Sequence, residues 1–280
     1  MKKIFLAFVL LIVNGVIAQE SVSSKFLLTT VSDEVGISAI NLIDAYLSPL
    51  NYIGPGIYYQ RTSSKLFSAD NNKLSHETKL KISGGFTFNP AQSAGITYTG
   101  GLISWGPFYH FKLTDDIFLR AGGNINALAA NTNNTRNTNN PMNFDFNTNL
   151  NVAGELKYKF HLFKKNLTLY GNFDFPFAGL MFVPRSGISY YQLIELGDFS
   201  NTIHLSSFHN RQGLNFYTSL EIPFNYTIWK FGIGSEILTW KANDMIFKHD
   251  ELKISVAIKY NIKRFSGIKN TAPEDFLSVE

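Results

Sequence analysis

The stretch "NTIHLSSFHNRQG", residues 201–213, gathers His204, Ser206, Ser207, His209, Asn210 and Arg211, with Tyr190 and Tyr191 shortly before it. A serine activated by a neighbouring histidine, itself oriented by a third polar group, is the arrangement for nucleophilic attack on an ester. Extended backbone puts His204 and Ser206 on one face and Ser207 and His209 on the other. His204, Ser206 and His209 are therefore the candidates for lipid chemistry at a membrane rim. The set is incomplete, because Glu195 and Asp198 are only nominal orienting acids and no G-x-S-x-G turn occurs. Hydrogen bonding within a long surface loop explains the same residues with fewer demands, so no catalytic residue is assigned.

Other chemistry finds no footing. The histidines at 76, 110, 161, 204, 209 and 249 lack metal-ligand spacing, and there is no cysteine to build a structural zinc site. "DEVG" at 33 and "DNN" at 70 fall short of a calcium loop. Paired glycines at 84, 100 and 122 lie in extended segments, not in a phosphate loop leading into a helix. Neither a cofactor nor a metal is expected.

The elements that must carry any site are strands. In "NVAGELKYKFHLF" the residues Val152, Gly154, Leu156, Tyr158, Phe160 and Leu162 alternate with Asn151, Glu155, Lys157, Lys159 and His161. "HETKLKISGGFTF" from His76 and "ELKISVAIKYNI" from Glu251 repeat the pattern. So do the segments around Leu167–Phe177 and Leu214–Ile222. Such runs reach 11 to 15 residues, where strands of soluble proteins usually stop at about 5 or 6 and a tilted bilayer crossing requires about 9 to 11. Connections alternate between short ones at "KLTDD", "FKKN" and "FNYT" and long ones at 131–147 and 183–211. These features predict an all-β fold: a transmembrane antiparallel β-barrel of 10 to 12 strands with long extracellular loops. Ten strands are read directly, and "SYYQLIEL" with "TIHLSSF" supplies the optional further pair. Aromatics such as Tyr58, Tyr59, Trp105, Tyr109, Trp229 and Trp240 are placed near strand ends as interfacial girdles.

In that barrel the charged faces point inward. Glu77, Lys79, Lys81, Glu155, Lys157, Lys159, Glu221, Lys253 and Lys259 are the lumen-facing candidates. Both signs are present, as expected where side chains pair and fill a narrow interior.

The chain opens "MKKIFLAFVLLIVNGVIAQE", a basic, then apolar, then small-residue order that reads as a signal peptide over 1–18, cleaved after Ala18. Loss of Lys2 and Lys3 takes the 25 basic residues to 23, against 21 acidic ones. That balance offers no concentrated basic surface for nucleic acid. Aromatics make up 15 % and charged residues only 16 %, below the roughly 25 % charged share of soluble domains. Residues 19–265 are assigned to the barrel, with a short helix and turn expected over 35–50 at the mouth or in the lumen, where apolar spacing is mixed and Pro49 follows. A polar periplasmic tail is expected over 266–280. The Asn/Thr tract at 131–140 reads as a solvated loop.

Several segments resemble a family of exported Bacteroidota proteins, domain of unknown function 3316: "NLIDAYLSPLNYIGPG", "LMFVPRSGISYYQLIELG", "HLSSFHNRQGLNFYTSLEIPF" and "FHLFKKNLTLYGNFDFPFAGLMF". The resemblance spans roughly 23–265, and this chain departs in its richness in Asn and Lys and in its tail. It implies an outer-membrane setting, transfers no catalytic residue, and carries no established activity. The expectation is a monomeric protein of a Gram-negative outer membrane, in contact with lipid and with an envelope protein as partner. It would act as a narrow pore or a loop-presenting component. A lipid-modifying enzyme at the rim and a scaffold subunit of an envelope assembly are the alternatives.

Overall fold

The computed structural model describes residues 26–138, 140–162, 164–262 and 276–279. The expected signal peptide lies outside them, as does most of the tail. The strands are β1 (Phe26–Leu27), β2 (Thr29–Asp44), β3 (Ser48–Leu66), β4 (Leu74–Phe88), β5 (Gly95–Lys112), β6 (Ile117–Asn134) and β7 (Met142–Leu162). They continue as β8 (Lys165–Phe182), β9 (Ile203–Ser207), β10 (Arg211–Phe224), β11 (Thr227–Ala242), β12 (Met245–Ile262) and β13 (Phe276–Leu277), with one helical turn, α1 (Tyr190–Ile194), before β9.

Ten of these strands, β2 to β8 and β10 to β12, close into one antiparallel barrel. The ring is sealed where β12 pairs with β2, from Ile262↔Thr29 to Phe247↔Asp44, and where β8 pairs with β10, from Thr168↔Glu221 to Asp174↔Asn215. β9 is not an extra barrel strand: it pairs with the outer part of β8, from Ala178↔Ser207 to Phe182↔Ile203.

Alternation decides which face points where. On β2 the residues Glu34, Gly36, Ser38, Ile40 and Leu42 are buried inside, while Val35 and Ile37 point outward and Ile37 is 63 % exposed. Ile57 on β3 and Ile254 on β12 are 60 % and 59 % exposed. In water each such side chain forgoes roughly 1.5–3 kcal/mol of burial free energy. A wall that hides Glu and Lys and displays Ile and Leu is stable only with hydrocarbon outside it.

Both barrel termini, Thr29 and Ile262, lie at one end, called the near end here. Its connections are 67–73, 113–116, 163–164 and 225–226, none longer than seven residues. The far end carries 45–47, 89–94, 135–141, 243–244 and the long excursion 183–210. Asn243 and Asp244 both have positive φ, 50° and 60°, as the tight β11–β12 hairpin requires.

Four sequence expectations require correction. The helix expected over 35–50 does not form, because 35–44 belong to β2 and only 45–47 make a turn. The period was hidden by apolar side chains on both faces: Ile40 and Leu42 inside, Ile37 outside. "SYYQLIEL" is not a strand but the helical turn α1, stabilised by a reciprocal cap in which Ser189 and Gln192 bond each other's backbone amides. The connection drawn over 131–147 shrinks to 135–141, since Thr132 and Asn134 continue β6 and Asn143 and Asp145 begin β7 with inward side chains. Lastly, the tip of the tail does not hang free. Phe276 and Leu277 pair in parallel with Phe26 and Leu27, and Val279 is buried at the near end of the lumen.

Candidate functional site

The interior is built in storeys. At the far end the inward positions are apolar: Ile40 and Leu42 of β2, Tyr52 of β3, Ile96 of β5, Met181 of β8, Trp240 of β11 and Phe247 of β12 form one buried cluster. The Trp240 and Phe247 rings stack at 5.2 Å. Beside them Asp44 of β2 accepts hydrogen bonds from Thr132 Oγ1 of β6 (2.5 Å) and from Asn143 Nδ2 of β7 (3.0 and 3.1 Å). β2 and β6 stand on opposite walls, so these bonds span the mouth and close it.

Below that seal the lumen is ionic. Lys81 of β4 reaches Glu236 of β11 across the bore, Nζ to Oε2 2.8 Å, and stands 3.5 Å from Glu251 of β12. Lys253 also pairs with Glu236 and lies 3.5 Å from Glu251. His249 approaches Glu251 at 3.4 Å and packs its ring 4.3 Å from Tyr98. Nearer the termini Arg120 of β6 lies between Glu155 (2.7 Å) and Glu77 (3.5 Å), over the Phe108 ring at 4.8 Å. Ser64 donates to Glu77 and Arg120 donates to Ser75. Glu221 accepts from Lys259 at 2.5 Å and faces Lys230 at 3.7 Å. Buried charges of this kind persist only when paired, and these networks lash non-adjacent strands together.

Tyr58 of β3 lies flat over Gly36 of β2, where a Cβ would stand 2.5 Å from the ring, and its hydroxyl donates to Glu34 at 2.6 Å. Gly232 gives Tyr217 the same room. Tyr58 and Trp240 thus lie inside, not in the girdles where the sequence reading placed them; Tyr59, Trp105, Tyr109 and Trp229 face outward.

Of the nine lumen candidates, Glu77, Lys79, Lys81, Glu155, Lys157, Glu221, Lys253 and Lys259 line the central cavity, and Lys159 lines the wider vestibule at the near end. As lumen residues the sequence reading missed Asp44, Asp145, Asn147 and Asn149, and it named Arg211 only within the 201–213 stretch; all are buried. For Asp145, Asn147 and Asn149 the i, i+2 spacing leading into Asn151 was the available signal.

The serine and histidine candidates are engaged elsewhere. The His204 ring meets the Asn201 carbonyl oxygen at 3.1 Å, and the Ser206 hydroxyl points to Asn149 at 3.5 Å. Within this stretch the Ser–His pair that forms is Ser207 Oγ with His209 Nδ1, 2.5 Å, where β9 leads into β10. Asp198, a nominal orienting acid, is taken up by Ser200 and Arg185. Hydrogen bonding to Ser200, with Arg185 adding to it, holds the Asp198 carboxyl below its ordinary value. Among the described residues no group of three His, Cys, Asp or Glu could hold a metal.

A closed wall of ten strands, apolar outside and ionic inside, defines a transmembrane β-barrel. The chain belongs to the family described as "Protein of unknown function (DUF3316)", which matches residues 4–269. No curated protein matches it. Among solved structures it is similar to the translocator domain of the autotransporter NalP from Neisseria meningitidis, with 8 % identity over 94 % of this chain and 96 % of that one and a TM-score of 0.44. It is also similar to the outer membrane protease OmpT from Escherichia coli, with 6 % identity, 88 % and 99 % coverage and a TM-score of 0.47. Likeness at this level assigns no activity.

Proposed function

We propose that this protein is a closed barrel of the bacterial outer membrane that serves as a loop-presenting envelope component, with its near end in the periplasm and the excursion 183–210 as its working surface. The apolar cluster at the far end of the lumen, with Asp44, Thr132 and Asn143 bonded across the mouth, carries this reading, because it fills the outward end of the bore with packed side chains. The excursion above it displays Tyr191, Ile194, Leu196 and Phe199, each more than half exposed. Exposed apolar side chains grouped in this way mark an interaction surface.

The chain has no cysteine, so single-cysteine variants report topology without background. Tyr191→Cys is expected to react with a membrane-impermeant maleimide in intact cells, and Asp116→Cys only after the outer membrane is breached. Equal protection of both sites, or the reverse pattern, contradicts the assignment.

A further inference from the structure

We infer that the wall between β8 and β10 is a side entrance from the bilayer, and that Arg211 behind it holds the anionic head of a single-tailed amphiphile. The strand ladder is interrupted here. β8 pairs with β10 up to Asp174↔Asn215 and with β9 from Ala178↔Ser207 onward. Between them, residues 175–177 face residues 208–214 without ladder pairing, and Pro176 has no N–H to offer. Gly213 accommodates the proline ring: a Cβ there would meet Pro176 Cγ at 3.0 Å.

The central cavity, about 170 Å³, reaches this gap. Its lining includes the inward Asn147 and Arg211 and also Leu214 and Phe216, which point out of the barrel and are 44 % and 49 % exposed. Leu214 borders the unpaired stretch of β8, whereas Phe216 lines the cavity from within the intact ladder with Phe173. A cavity of about 150 Å³ suffices for benzene, so this one fits a head group and its first carbons, with the rest of the tail lying along Leu214 and Phe216 in the bilayer.

Arg211 supplies the recognition. It is 5 % exposed, yet only Nη2 is engaged, donating to Asn147 Oδ1 at 3.2 Å. Nε and Nη1 have no hydrogen-bond partner among the described residues. Asp145 faces the same cavity and attracts Arg211 electrostatically, but its carboxyl is held by Asn147 at 2.9 Å and makes no hydrogen bond to the guanidinium among the described residues. Unmet donors on a buried guanidinium are costly, and the planar guanidinium favours carboxylate or phosphate. Leu238 and Phe247 of the far-end seal stand over the cavity, which leaves the side wall as the apolar approach.

The test is binding of cis-parinaric acid, followed by its fluorescence, to the full-length folded protein in a non-ionic detergent. Saturable binding is expected, displaced by dodecanoate and dodecyl phosphate but not by methyl dodecanoate or inorganic phosphate. Arg211→Gln and Gly213→Leu are each expected to weaken it about tenfold or more. Absence of saturable binding, equal displacement by acid and methyl ester, or displacement by inorganic phosphate alone overturns the inference. So does unchanged affinity in both variants once they are shown to be folded. If neither variant folds, the acid-against-ester comparison on the unaltered protein decides.

Discussion

Arg120 and Glu155 face each other across the β6–β7 ladder, Nη1 to Oε2 2.7 Å, with Glu77 of β4 3.5 Å from the same nitrogen. One guanidinium therefore balances two buried carboxylates, and the three side chains tie three strands from within. Removing it takes the shared guanidinium from both acids. Arg120→Ala is expected to destabilise the folded barrel by about 3–5 kcal/mol, seen as a lower urea midpoint for the heat-modifiable band on a gel. Arg120→Lys keeps the charge without the fork and is expected to fall between the two. A midpoint unchanged in Arg120→Ala contradicts the role given to this triad.

The contact between Gly36 and Tyr58 leaves no room for a side chain. Gly36→Val should push the ring aside and break the 2.6 Å bond from Tyr58 to Glu34, at a cost of about 1–3 kcal/mol. Tyr58→Phe should cost less, since it removes the bond but keeps the ring. Thermal melting followed by circular dichroism orders the two variants, and Gly36→Val no worse than Tyr58→Phe would count against the packing described.

On the far-end excursion, Asp198 is held below its ordinary value of 3.8, mainly by Ser200 and further by Arg185. A depressed carboxyl contributes order that is fully present above the ordinary value and lost as pH falls through the lowered one. Amide protection over 185–200 is therefore expected to be constant from pH 7 to 5 and to drop on acidification below about pH 3.8. Asp198→Asn should show the loosened state throughout. Protection that ignores both pH and the substitution removes Asp198 from its place as an anchor of this segment.

The Ser207–His209 pair favours rim chemistry, at 2.5 Å but with no acid behind the histidine among the described residues. His209→Ala and Ser206→Ala are expected to leave hydrolysis of envelope phospholipids by the purified protein at background. A loss of measurable lipid hydrolysis in His209→Ala would restore the enzyme reading.

How much of this was legible in the sequence depended on which faces differed. Where one face is ionic and the other apolar, as from Glu251 to Lys259, period two named both the strand and its inward side. At the far end the inward face turns apolar as well, so Val35–Asp44 lost its alternation and read as a helix. The Asn-rich stretch misled in the opposite sense: asparagine suggests loops, yet Asn134 continues β6 and Asn143 begins β7, while Asn149 bonds Asn147 and Asn126 and Asn151 bonds Asn124 inside the barrel. The break between β8 and β10 lies in pairing between strands distant in sequence, which Pro176 and Gly213 mark only once the register is known.

The most direct test of the closed-barrel account is single-channel recording of the folded protein in a planar bilayer, beside a Trp240→Ala/Phe247→Ala variant that thins the far-end seal. The account predicts silence from the unaltered protein and the appearance of conductance steps in the variant. Discrete, reproducible steps from the unaltered protein would contradict it and establish an open lumen.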